Sequence, residues 1–327
     1  MGAPLERVRR LSAAARAWLE PDRGAGAGGL EFFRGPEFLE AEGTTHTLIV
    51  ESSSARAAIP LIVREIKGSQ GARDATSPYS YPGAEVRGAP IDPAIVDWSA
   101  TELVSAFVRD RLGDPPALAG GTERSIVLVS DPALPRKSRM SDRQQIRKNE
   151  AAGYEISQLP GPETSAAQRA EFGAVYTETM AHVDAGERYL FGGEYFDLLF
   201  SSPRSRLFVI TAPSGSAAAA AITVVSDGFV HYYLSGTTDA ERSRAPSKNL
   251  IVAVTDYAES LGLPMNLGGG ARPGDGLEEF KRGFANAELR FRTHELVCDR
   301  ARYEQLALGC PEGSGFFPRY RAPSLPR

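Results

Sequence analysis

The feature that most constrains this chain is a run of three strand-like segments late in the sequence. Segments 207–211, 217–225 and 229–235 are apolar, of strand length, and separated by short turns. Ser226-Asp227-Gly228 between the last two is a hairpin signal. A strand at 153–159 and helices at 166–180 and 194–200 precede them. A helix at 246–261, with Pro246 suited to its first turn, follows. After it come a strand at 265–267, a glycine-rich loop, a short helix ending in Phe280-Lys281-Arg282-Gly283-Phe284, and a strand at 289–297. Strands that alternate in this way with helices predict an α/β protein with mixed sheets.

The first half shows a shorter version of a similar order. Leu5, Val8, Leu11, Ala15 and Leu19 predict a helix over 4–20, followed by a Gly-rich connector. A short helix starts at Pro36. Segments 47–51 and 58–64 flank Ser52-Ser53-Ser54 and predict an antiparallel hairpin, with Pro60 at an edge or a bulge. A helix is expected at 99–112 and a buried strand at 125–130. The resulting division is 1–29 (N-terminal helix and linker), 30–135 (first domain), 136–300 (second domain, with the catalytic cleft) and 301–327 (C-terminal helix and tail).

Composition excludes several classes. With 42% hydrophobic and 24% charged residues the chain is an ordinary globular one. A net charge of −4 argues against a wholly basic nucleic-acid binder, although a local basic patch remains open. Cys298 and Cys310 form neither a metal spacing nor a disulfide framework, which fits a reducing cytoplasm. There is no membrane-length apolar run, no apolar signal-peptide core, no Walker loop and no nucleophile elbow.

Three stretches carry candidate chemistry. Only five of the 37 basic residues are lysine, and Lys281 is one of them, between Phe280 and Phe284. Its compact ammonium can be partly desolvated and aimed at one developing negative charge. The alternative is a solvated lysine on an amphipathic helix. Ser77-Pro78-Tyr79-Ser80-Tyr81-Pro82-Gly83 is a stiff aromatic loop, able to line a pocket with phenols or to pack on a core rim. Residues 136–150 are rich in Arg and Lys, on a helix with Ser141 as N-cap and Gly153 as its stop. Arg143 and Arg147 share one helix face, and Glu150 can pair with Arg147. This strip is either a solvated face or a reader of phosphates, on a nucleotide-sugar or an RNA backbone. His231 shares a strand face with Tyr233 and reads as a sheet-face histidine. No general base is evident, and removal of the proton by substrate or water is compatible with the sequence.

Several stretches together resemble the Fem family of aminoacyl-tRNA-dependent peptidyl transferases, which have two tandem GNAT-like domains. They are Ser77–Gly83, Ile146–Ile156, Tyr176–Met180 with Tyr189-Leu190-Phe191 and Tyr195-Phe196, Tyr232-Tyr233-Leu234-Ser235-Gly236 and Phe280–Phe284, in the family's order. The resemblance implies tandem GNAT-like domains, and Lys281 as the catalytic-site lysine beside the transferring carbonyl. It implies that Tyr79, Tyr81, Tyr233, Phe280, Arg147 and Lys148 border the acceptor cleft. Charged tRNA is the implied co-substrate, with no resident cofactor and no metal. Ala285 departs from the family's usual Gly, and no stretch fits the helical-hairpin arm of some members.

Acyl-CoA is the alternative donor. GNAT enzymes cradle its pyrophosphate in a sequence resembling Arg/Gln-x-x-Gly-x-Gly/Ala, between the fourth strand and the next helix. The corresponding stretch here, 237–249, has no glycine, and Pro246 removes one N–H. Arg242, Arg244 and Lys248 remain as phosphate-binding charges, with Arg143. The sequence therefore favours aminoacyl transfer from tRNA to an amine, on a peptidoglycan precursor or a small metabolite, in the cytoplasm. Acyl-CoA-dependent N-acylation and a non-catalytic binder of a nucleotide-sugar or RNA end are the alternatives.

Overall fold

A computed structural model describes residues 14–22, 31–113, 115–270, 272, 274–310 and 315–322. The first half contains β1 (Ala15–Pro21), α1 (Pro36–Ala41), β2 (His46–Ser52), β3 (Arg56–Glu65), β4 (Arg73–Thr76), β5 (Glu85–Arg87), β6 (Val96–Asp97), β7 (Leu103–Arg109) and β8 (Thr122–Ser130). The second contains α2 (Met140–Ala152), β9 (Glu155–Pro160), α3 (Ala166–His182), α4 (Gly193–Ser201), β10 (Ser205–Thr211), β11 (Ala217–Ser226), β12 (Phe229–Thr237), α5 (Ser247–Ser260), β13 (Met265–Gly268), α6 (Gly276–Arg282), β14 (Ala287–Val297) and α7 (Arg300–Leu306).

The described strands form one mixed sheet in the order β6-β1-β2-β3-β4-β7-β14-β8-β13-β12-β11-β10-β9, with β5 beside β3. The α/β class with two tandem GNAT-like halves is as the sequence predicts. The halves are stitched together by the late strand β14, which pairs with β7 on one side and β8 on the other. Helices α3 and α4 cover one face of the second half, with α1 and Phe32, Phe33 and Phe38. Helix α5, Ile146 of α2, Phe280 of α6 and Phe284 just past α6 cover the other. Strand β11, buried along nearly its whole length, carries five consecutive alanines, so helices approach closely from both faces.

Two expected helices are strands. Residues 15–21 of the expected helix over 4–20 form β1, paired antiparallel with β2; residues 4–13 lie outside the described residues. Ala15 and Ala17 are buried and Arg16 between them is exposed, a period of two. The expected helix over 99–112 is β7, enclosed between β4 and β14. Both its faces are buried, so its apolar run is continuous and does not separate strand from helix. Pro60 lies in an interior strand, at a point where β3 passes from β5 to β4 and only Thr47 of β2 pairs with it. A missing N–H is tolerated there. Helix α2 ends at Gly153 in the left-handed region as expected, but its N-cap is Arg139 rather than Ser141.

Strands β12 and β13 run parallel and pair only at Val230–Met265 and His231–Asn266 before parting. Just beyond, β12 bulges: Thr223 faces Tyr232, Ile222 faces Leu234, and Tyr233 is the extra residue. Bulges release backbone groups from the ladder and recur beside active sites.

Candidate active site

A cleft of about 520 Å³ opens where the halves meet. Tyr79, Tyr81 and Arg109 line it from the first half, Ile126 and Phe291 from β8 and β14, and Gly269 and Gly270 from the glycine-rich loop. The tyrosine loop is fixed on both sides. The Tyr79 N–H donates to Glu42 Oε2 at 2.7 Å, and Arg109 Nη1 donates to the Ser77 carbonyl at 2.9 Å. Tyr79 is 38% exposed and meets Tyr189 edge-on. The Tyr81 ring sits 5.0 Å from Phe291 and 5.4 Å from His231, and its hydroxyl bonds Asn266. Burial pushes both tyrosine hydroxyls up, so they stay protonated donors at neutral pH.

Lys281 is not a solvated surface lysine. Asp275 caps α6 by accepting from the Glu278 N–H at 2.8 Å. One face of this short helix then lies against the glycine-rich loop, and Lys281 Nζ donates to the Gly269 carbonyl at 2.8 Å. Loss of hydration lowers its pKa from 10.5 to about 8, and nearby Asp275 opposes the shift. The loop itself is tight. A Cβ at Gly269 would come within 2.9 Å of the Ile126 carbonyl, and one at Gly270 within 2.4 Å of Asp275 Oδ1. Neither Lys281 nor Phe280 lines the cleft itself; Lys281 bonds the carbonyl of Gly269, which does, and Phe280 meets Phe284 at 5.7 Å.

Asn266 on β13 organises this wall. Its Oδ1 accepts from the Gly268 N–H at 2.7 Å, and its Nδ2 donates to His231 Nδ1 at 2.9 Å. His231 Nε2–H then donates to the Ser226 carbonyl at 3.1 Å, and burial lowers the histidine to about 4. His231 is therefore a neutral sheet-face residue with both ring nitrogens engaged. Asn266 and Glu42 were not singled out from the sequence. A polar residue inside the short strand Met-Asn-Leu was the available signal for the first; Glu42 had none.

The other expected site residues lie elsewhere. Tyr233 is packed among Phe32, Phe33 and Phe38, and its hydroxyl meets Tyr195 at 2.9 Å; it does not line the cleft. Arg143 and Arg147 line a separate groove of about 300 Å³, bounded by α2, α5 and Phe284, and Lys148 is exposed on α2. The expected Arg147–Glu150 pair does not occur among the described residues. Arg242 is held by Asp239 at 2.7 Å and Lys248 by Asp142 at 2.9 Å. The Arg244 carbonyl accepts from Asn149 Nδ2 at 2.9 Å, and the same Nδ2 lies 2.8 Å from Asn249 Oδ1. Helix α2 thus lies across the start of α5. Among the described residues no group of His, Cys, Asp or Glu is placed to hold a metal, and no helix is long and apolar enough to cross a membrane.

A family profile described as an acetyltransferase (GNAT) domain matches residues 136–282. Solved structures extend the likeness across both halves. FemX aligns over 79% of this chain and 89% of its own, with TM-score 0.57 and 9% identity. L-PGS from Bacillus licheniformis aligns over 81% and 87%, with TM-score 0.53 and 12% identity. The C-terminal domain of a protein assigned as a lysylphosphatidylglycerol synthetase from Agrobacterium fabrum aligns over 84% and 89%, at 0.51 and 15%. No curated protein matches the sequence. By fold the chain is GNAT-like, similar across both halves to FemX and L-PGS.

Proposed function

We propose that the protein is an acyltransferase that moves an aminoacyl group from charged tRNA to an amine, on a peptidoglycan precursor or a small metabolite. The observation that carries the reading is the desolvated ammonium of Lys281, bonded to the carbonyl of Gly269, which lines the cleft. The acceptor amine attacks the ester carbonyl carbon, forming the C–N bond. The tetrahedral oxyanion collapses, the bond to the terminal ribose oxygen breaks, and that oxygen takes the proton the amine gives up. A hydrogen bond from Lys281 to the oxyanion is worth on the order of 3 kcal/mol. Tyr79 and Tyr81 supply phenol donors and flat faces for the acceptor side.

Two further observations support tRNA as donor. The corner between β12 and α5, where a GNAT enzyme cradles the CoA pyrophosphate, has no glycine and is covered by Asn149 and Gln145 of α2. The name of one structural neighbour, a lysylphosphatidylglycerol synthetase, points to joining an amino acid to an acceptor. The reading needs no resident cofactor, and a cytoplasmic location, where charged tRNA is available, belongs to it. The match to an acetyltransferase domain favours a second reading, acyl-CoA-dependent N-acylation.

The test is incubation with a pool of charged tRNAs and candidate acceptors, followed by mass spectrometry. Product is expected, and ribonuclease should abolish it. Ribonuclease-insensitive product rejects the reading, as does saturable acetyl-CoA binding by calorimetry without any transfer from tRNA. Lys281→Ala should lose turnover with the fold intact; a non-catalytic binder would be indifferent to it.

A further inference from the structure

The cleft holds a cation that the chemistry above does not use. Strands β4 and β7 run parallel, as β12 and β13 do in the second half, and pair as far as Thr76 and Phe107. Beyond that point β4 leaves for the tyrosine loop. The Ser77 N–H still donates to the Phe107 carbonyl at 2.8 Å, and the Arg109 N–H donates to Ser77 Oγ at 3.0 Å. Arg109 ends β7, so its side chain sits at the base of that loop and in the cleft wall. Its Nη1 is fixed by the Ser77 carbonyl at 2.9 Å and Thr76 Oγ1 at 3.3 Å, and the guanidinium lies 5.0 Å from the centre of the Phe107 ring. Among the described residues its Nε and Nη2 make no hydrogen bond, and no carboxylate forms an ion pair with it. The charges around it are already matched. Arg124 is paired with Glu295, Arg290 faces Glu123 at 3.9 Å, and Glu278 holds Arg282 at 2.7 Å. Arg272 is exposed on the rim. Glu42 acts on Arg109 electrostatically, but its two oxygens accept from the Tyr195 hydroxyl and the Tyr79 N–H, each at 2.7 Å. Loss of hydration lowers the Arg109 pKa, and Tyr79 and Glu42 oppose the shift. A partly desolvated guanidinium without a counter-ion is therefore held rigidly against a cavity of about 520 Å³.

We propose that Arg109 is the anion-binding end of the cleft, and that it takes the carboxylate of a small acceptor that also bears the attacking amine, an amino acid or short peptide. The two uncommitted nitrogens, Nε and Nη2, form one edge of the planar fork, which matches the two oxygens of a carboxylate. The cavity has the size of a small-molecule site, and Tyr79, Tyr81 and Phe291 give it flat apolar walls for a side chain. The aminoacyl end of a charged tRNA carries an ester and an ammonium but no carboxylate. A carboxylate at Arg109 therefore belongs to the acceptor, and its binding would hold the amine within the cavity that Gly269 also lines. The anion site is argued from Arg109 and its surroundings; that the anion belongs to an acceptor rests on the tRNA-dependent reading above.

Calorimetry on the full chain tests the site without any acyl donor. The probes are glycyl-tyrosine, glycyl-leucine and glycyl-lysine, each beside its C-terminal amide. At least one dipeptide should bind, and its amide should bind at least roughly tenfold more weakly, the effect of losing a hydrogen-bonded charge pair. Arg109→Gln should bind dipeptide and amide alike, an equality that a merely structural arginine would not produce. If that variant does not fold, Arg109→Lys carries the test. It keeps the charge and a donor for the Ser77 carbonyl, lacks the fork, and should lose most of the preference. Wild-type protein that binds no dipeptide, or binds dipeptide and amide equally, overturns the site. So does a preference that survives in a folded Arg109 variant. Adenosine monophosphate that binds through Arg109 while the dipeptides are ignored assigns the arginine to a phosphate and overturns the carboxylate. Arg109-dependent dipeptide binding without transfer from charged tRNA sinks the proposed activity and leaves the anion site. Transfer from charged tRNA with the same KM for dipeptide and amide does the reverse.

Discussion

At the scale of single residues, Lys281 should trade stability for chemistry. In the unfolded chain its ammonium keeps its proton to about 10.5, and in the fold it gives it up near 8. Between those values the unfolded state binds more protons, so stability rises with pH across that window; below it, the partly desolvated charge is a standing cost. Lys281→Met keeps the length and removes the charge. At pH 7 it should gain roughly 1 to 3 kcal/mol in urea titrations and lose the stability rise between pH 8 and 10.5. Its turnover should fall on the order of a hundredfold or more, the loss of one oxyanion donor. In the wild type, turnover limited by a protonated Lys281 should decline above pH 8. A Met variant that is less stable and equally active would show that the lysine is only a packing residue.

At the scale of elements, the wall of the cleft depends on how β13 meets its neighbours. Asn266→Ala removes the acceptor for the Gly268 N–H and the donor to His231 Nδ1 together. Each buried group left unpaired costs about 1–3 kcal/mol, so the variant should lose roughly 2 to 4 kcal/mol in a denaturant titration. It should also lose kcat, because Gly269 no longer holds the Lys281 ammonium in place. An unchanged midpoint would remove Asn266 from the wall. The sequence was most legible where elements are patterned and locally closed: α3, α5, the hairpin at Asp227-Gly228 and the Phe-Lys helix follow from spacing and turn chemistry. It was least legible in β1 and β7. Strand β7 is buried on both faces, and the alternation in β1 is diluted by small alanines. Which strand lies beside which is a long-range property. Nothing local in β8 says that β14 will pair with it, or that Tyr81 will reach Asn266. The basic stretch at 136–148 was visible, but only the structure shows that Arg136 and Arg139 are paired with Asp256 and Glu279.

At the scale of the whole molecule, the cleft exists because two halves are held at one separation. Strand β14 fixes them along the sheet, and a buried ion pair fixes them across it. Arg34, just before α1, reaches the β11–β12 turn, where its two terminal nitrogens meet the Asp227 carboxylate at 2.6 and 3.2 Å. Arg34 also donates to the Pro82 carbonyl at 2.7 Å, at the end of the tyrosine loop. Both side chains of the pair are under 10% exposed. One guanidinium therefore ties the turn of the second half to the loop that lines the cleft. Asp227 is also a turn residue, with φ +50° before Gly228 at +79°, a combination of the type I′ hairpin. Asp227→Asn tolerates that backbone, so it isolates the charge from the turn. It should cost about 3 to 5 kcal/mol, because Arg34 is left buried without its counter-ion. The loss should extend beyond stability. With Arg34 free to seek water, the tyrosine loop loses its hold at Pro82, and hydrogen exchange should rise at residues 79–83 while β10 and β11 stay protected. A variant as stable as wild type, with unchanged exchange in that loop, would mean that the sheet alone sets the cleft.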